Sequence, residues 1–136
     1  MKKNILLGLT FLTLFAGTYA PTDGERARWT MSDMMSWRTA LEAYAQDHKV
    51  YPAAANIQEL RNAVEKKYMM VAPVNDAWGR PYRYERVGNG FRLVSSGADG
   101  RFDAQSWSAK GRATSLDEDA VMTDDGSWLT RFWSLE

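Results

Sequence analysis

The chain has 136 residues with 17 basic and 17 acidic groups, a length that supports one hydrophobic core rather than two. An apolar content of 45% with 12% aromatic residues argues against disorder, and the lack of a basic excess argues against nucleic-acid binding. With no cysteine, a disulfide framework, a thiolate metal centre and a thiol nucleophile are excluded.

Met1-Lys2-Lys3-Asn4 is a short basic start, followed by an uncharged apolar run from Ile5 to Ala16 and the mostly small Gly17, Thr18, Tyr19 and Ala20. That is the layout of a secretory signal. Thr18 and Ala20 suit a cleavage site, but Pro21 would follow the scissile bond and fit a peptidase poorly. Residues 1–20 are therefore read as a signal peptide or an N-terminal membrane anchor, and 21–136 as one globular domain. The expected location is periplasmic or secreted, or inner-membrane anchored if residues 1–20 are retained.

Thr22-Asp23-Gly24-Glu25 has capping-box spacing, predicting a helix from there to about Asp47. Thr30, Met34, Trp37, Leu41, Tyr44 and His48 recur at helical spacing and form its core-facing stripe, widened by Met31 and Met35. Pro52 follows the helix end. Asn56 can cap a second helix from Ile57 to about Lys67. Tyr82–Val87 and Phe91–Ser95, around Gly88-Asn89-Gly90, predict a β-hairpin. Asp99–Asp125 is a loop-rich stretch with seven acidic and three basic residues. Val121-Met122 and Ser127–Trp133 predict a last hairpin around Asp125-Gly126. The fold class is α+β: a long N-terminal helix on a small antiparallel sheet, with a loop-rich C-terminal region.

Asp76-Ala77-Trp78-Gly79-Arg80-Pro81-Tyr82-Arg83-Tyr84, followed by Phe91-Arg92-Leu93-Val94-Ser95-Ser96-Gly97-Ala98-Asp99-Gly100, resembles the C-terminal signature of the type II secretion major pseudopilin. The helix end Ala40–Asp47 with Tyr51-Pro52 is similar too, and the likeness runs from about Ser32 to Val121. The residues have their own logic: Asp76 can cap a turn, Gly79 can take positive φ, and Pro81 can set the strand entry. Trp78, Tyr82 and Tyr84 supply aromatic area, with Trp37 and Trp78 expected in the core. Three departures stand out. The run Gly8-Leu9-Thr10-Phe11-Leu12-Thr13 lacks the glutamate of a prepilin leader, Ala77 replaces the usual proline, and Ala104–Ala113 is an insertion in the acidic loop.

The resemblance implies a pilin-like head and a structural calcium ion in the loop after the second block. The matching positions are Asp99, Asp117 and Asp119, with carbonyls near Ser96 completing the shell. Calcium takes about six to eight oxygen ligands, which clustered carboxylates and carbonyls on a bent loop can supply. The plain alternative is that these aspartates only cap turns. His48, the sole histidine, has no nucleophile or carboxylate partner at motif spacing, and no hydrolase or phosphate-loop motif occurs.

Three functions follow. The resemblance implies a non-enzymatic structural or interaction module of a type II secretion or related envelope assembly, with secretion-system proteins as partners and possible self-association. It would reach a membrane only through residues 1–20, if these are not cleaved. The second function is an exported glycan- or protein-binding module using exposed tryptophans, namely Trp107, Trp128 and Trp133. The bland alternative there is that they pack the extra loop onto the domain. The third, a metal-dependent enzyme built on Asp99 and Asp103, has the thinnest basis.

Overall fold

A computed structural model describes residues 17–109, 111–124 and 130–135. Helix α1 runs Asp23–His48. Both halves of its capping box form, since Glu25 N donates to Thr22 Oγ1 (3.3 Å) and Thr22 N donates to Glu25 Oε2 (2.8 Å). Lys49 closes it at φ 63°, its N–H on the Ala45 carbonyl. Helix α2 covers Ile57–Val64, with the Asn56 side chain accepting from Glu59 N. It stops three residues short of the predicted end. Glu65 turns to extended angles, where its carboxylate accepts from the Arg61 side chain and from Ala72 N, and Lys66 takes φ 73°.

Four strands follow: β1 Arg83–Val87, β2 Gly90–Ser95, β3 Ala120–Asp124 and β4 Thr130–Arg131. They pair antiparallel in chain order as a meander. Val87 pairs with Gly90, so Gly88-Asn89 alone closes the first hairpin; φ of +57° at Gly88 is the pattern of a II′ turn. The predicted last hairpin is present as the pairing of Val121 with Arg131 and of Met122 with Thr130. Its Asp125-Gly126 turn lies outside the described residues, as do Trp128 and the apolar run of residues 1–16. Among the described residues no helix is long and apolar enough to cross a membrane.

Core packing explains the helix face. Ala27, Thr30, Met34, Trp37, Ala40 and Leu41 are buried, and they meet Tyr84, Phe91, Leu93 and Met122 from the inner side of the sheet. Two expectations need correction. Met35 is 44% exposed, on the flank of α1, and Ala27 and Ala40 take the space beside the stripe instead. Trp78 is half-buried at the start of α1, with its ring edge-to-face on Trp133 and its Nε1 donating to Asp23 Oδ1 (2.8 Å). At the far end of the stripe His48 is exposed, its ring stacked on Tyr44.

The outer face of the sheet has a second, smaller core. The insertion forms a short 3₁₀ helix, Ala104–Ser108, which lays Trp107 over Val94 and Val121. The guanidinium groups of Arg83 and Arg92 sit 5.2 and 5.6 Å from the Trp107 ring centre.

Candidate functional site

The first signature block closes on itself through Asp76, which is almost fully buried. Asp76 Oδ1 accepts from the backbone of Trp78 (3.0 Å) and Arg80 (3.1 Å), and Oδ2 accepts from Ser95 Oγ (2.7 Å). Gly79 completes the turn at φ +82°. Asp76 therefore caps its turn as expected and also ties it to the end of β2, inside the second block.

Arg80 joins the blocks a second time. Its Nη1 donates to the carbonyls of Gly97 and Ala98, both at 3.0 Å. Its guanidinium lies where a Cβ on Gly100 would be, 2.3 Å away. Gly97, at φ +67°, is crowded from the other side: a Cβ there would meet Glu118 O at 2.5 Å and Leu116 O at 2.6 Å. Both glycines of the Ser-x-Gly-x-Asp-Gly turn are thus spaces occupied by other parts of the chain. Arg80→Leu is expected to lower stability by about 1–3 kcal/mol in chemical denaturation, because two carbonyls lose a shared cationic donor. Arg80→Lys should recover only part of that, since an ammonium lacks the planar fork.

The facing loop, residues 114–119, is shaped by Glu118. Its Oε1 accepts from Thr114 N, Thr114 Oγ1 and Ser115 N at 2.8–3.0 Å, and its Oε2 accepts from Arg131. The Thr114 hydroxyl and the Thr114 and Ser115 amides hold Glu118 below the ordinary glutamate range. Trp133 Nε1 donates to the Glu118 carbonyl (2.8 Å). The next residue, Asp119, is fully buried. Its Oδ2 accepts from Trp107 Nε1 (2.5 Å) and Asp103 N (2.8 Å), anchoring the insertion. Burial, above all, pushes the Asp119 carboxyl up, and the nearby Asp103 and Asp99 charges push the same way against those two hydrogen bonds.

The predicted calcium ligands are placed unequally. Asp119 faces inward with Asp99 and Asp103 close enough to act on it, whereas Asp117 is exposed. Among the described residues no three His, Cys, Asp or Glu side chains group to hold a metal. Two side-chain oxygens there are nevertheless buried without a hydrogen-bond partner among those residues, Asp119 Oδ1 of the predicted set and Ser96 Oγ, which the prediction, made for carbonyls near Ser96, did not include. Orphaned oxygens beside repelling carboxylates match the donor chemistry of a hard cation. Asp99 and Asp103 also cap local turns, accepting from Arg101 N (2.8 Å) and Gln105 N (3.2 Å).

The tryptophan reading is corrected for two of its three residues. Trp107 and Trp133 are 5% and 3% exposed, because the insertion and the last strand pack them inward and each indole N–H is already engaged. The alternative that the tryptophans pack the extra loop onto the domain holds for Trp107, whereas reading the sequence missed Arg80 as the organiser of the turn. Only the Thr114–Glu118 spacing carried a usable signal, a side chain reaching back to amides four and three residues earlier.

A long capped helix, a four-stranded antiparallel meander and two interlocked turns define a pilin-like α+β head. The chain belongs to the type II secretion system protein G family, whose model matches residues 19–111. It is a pseudopilin-like secretion-system component. The matched stretch contains both signature blocks, Asp99 and most of the insertion; Asp117 and Asp119 lie beyond it. No curated protein matches the chain.

Proposed function

We propose that this chain is an exported, non-catalytic structural component of a type II secretion assembly in the cell envelope, acting by docking to itself and to other secretion-system proteins. The observation that carries the reading is the family match over residues 19–111, which spans the two blocks that Asp76 and Arg80 lock together. In the native host, deleting the chain should abolish export of type II substrates, and the tagged full-length protein should co-purify with secretion components. Normal export together with no co-purification would sink the reading.

The reading includes one structural calcium ion, with oxygens from Asp119, Asp99 and the Ser96 region and with Asp117 on the solvent side. Its support is the pair of orphaned buried oxygens and the repulsion around Asp119. When bound, the ion neutralises the carboxylates and ties the 95–100 turn to the 114–119 loop. At a hundredfold excess over its dissociation constant it would add about 2.7 kcal/mol.

The sign of the pH effect separates charge from metal. The folded-state pKa of Asp119 is raised, so the folded protein binds the extra proton, and stability falls as pH rises from the unfolded aspartate value through the folded one. Asp119→Asn should remove that slope without calcium, and should also abolish the rise in unfolding midpoint that calcium gives the full-length wild type over a chelator. An unchanged calcium response in Asp119→Asn would count against the site.

A further inference from the structure

We propose that the free edge of β1 is a docking strand for an extended acidic segment of a partner protein. The inference deepens the reading of the chain as an assembly component and rests on it.

β1 is an outer strand of the meander, and its hydrogen-bonding parity follows from the two-residue turn. Val87–Gly90 is the hydrogen-bonded pair that closes the hairpin, so Glu85–Arg92 and Arg83–Val94 are bonded pairs as well. The N–H and C=O of Tyr84 and Arg86 consequently point away from β2. The chain uses the same outward side just upstream, where Tyr82 N donates to the Val74 carbonyl at 2.9 Å. Past that bond the edge is open: among the described residues no backbone or side-chain group bonds the main chain of Tyr84 or Arg86 from outside the sheet.

An open groove of about 870 Å³ runs along this edge. One wall is Ala53–Ala55 and Ile57 at the start of α2, and the other is Phe102, which is 40% exposed. The alternating outward amides suit a single added strand.

Charge selects the occupant. Of the two glutamates lining the groove, Glu59 accepts from Ala55 N at 2.9 Å and Glu85 is paired with Arg92 at 2.5 Å. Arg83 and Arg86 are exposed, and neither has a carboxylate partner among the described residues. Glu59 keeps its charge, so with Glu85 offset by Arg92 the groove carries a net charge of +1 from Arg83 and Arg86 against Glu59. The same charges disfavour a second β1 strand. In two of the three symmetric antiparallel registers that join the outward groups, self-pairing sets Glu85 against Glu85 or Arg86 against Arg86.

The test uses the full-length protein and two capped heptapeptides, Val-Glu-Asp-Val-Asp-Glu-Val and a counterpart with lysine at every acidic position. With the acidic peptide at ten times its dissociation constant, hydrogen exchange at the Tyr84 and Arg86 amides should slow roughly tenfold, while exchange in α1 is unchanged. Arg83→Glu and Arg86→Glu, each checked for folding by circular dichroism, should weaken that peptide about tenfold. Absence of protection at Tyr84 and Arg86 overturns the proposal, and so does equal binding of the lysine peptide. Protection that rises with protein concentration in the absence of peptide overturns it in favour of a second copy. None of these failures touches the co-purification result, so the secretion reading stands or falls separately.

Discussion

Gly97→Ala should cost the folded state roughly 2–5 kcal/mol, read as a lowered denaturation midpoint with an unchanged slope. Two independent effects add. At φ +67° an L side chain carries a steric cost of about 1–2 kcal/mol. The new Cβ also lands 2.5 and 2.6 Å from two backbone carbonyls, of Glu118 and Leu116, rather than from a yielding side chain. The loop cannot simply retreat, because Ala98 N already donates to Leu116 O (2.8 Å) and Glu118 is held by Thr114, Ser115 and Arg131. Gly79→Ala is the control, with a similar positive φ and open space where its Cβ would point. It should lose only the conformational part. Equal losses in the two variants would mean that the close approach of the 114–119 loop carries no energy.

Trp107→Ala should cost about 3–5 kcal/mol, the usual range for removing a buried large aromatic residue. The substitution uncovers Val94 and Val121, removes the surface on which Arg83 and Arg92 sit, and leaves Asp119 Oδ2 with the Asp103 amide alone. The distribution of the damage is as telling as its size. Native-state hydrogen exchange should show Ala104–Ser108 opening well below the global unfolding energy, while the α1 amides around Trp37 keep their rank. Trp107→Phe retains area but lacks the N–H, so its extra loss relative to wild type should shrink as pH falls and Asp119 becomes protonated. A pH-independent difference between Phe and Trp would detach the indole from Asp119.

The elements readable from the sequence are those whose determinants lie within a few residues. The Thr22–Glu25 box, the Asn56 cap and the glycine turn after Val87 are local hydrogen-bond chemistry; the first two appear where their spacing places them, and the turn is one residue tighter than predicted because Gly90 pairs with Val87. The helix stripe was legible in its first four members. Its flank was not, because which of Met31, Met35, Ala27 and Ala40 goes inward depends on how the sheet lies across α1. The end of α2 depends on Ala72, seven residues past Glu65, and no propensity anticipates that bond. The site divides the same way. Asp76 as a turn cap and Gly79 at positive φ were readable, while the Arg80 clamp spans 17 residues and the Trp107–Asp119 bond spans 12. The outer core was hidden because alternation along β2 gives both faces apolar residues without saying what covers the outer one.

The capped start of α1 has a mechanical consequence. Thr22 and Glu25 satisfy the first backbone donors of the helix, and Pro21 directly precedes them, so the helical rod ends at Asp23 and Gly17–Thr22 continues without regular structure. Those six residues reach at most about 20 Å, and they meet the head through the Tyr19–Glu25 bond, the Arg26 side chain on the Pro21 carbonyl and the Thr22 cap. A pull on the N-terminal side would reach the head as tension along a short tether. Any load applied upstream would thus enter the head at the Thr22 cap and the Arg26–Pro21 bond, off the end of the helix rather than along a continuous rod.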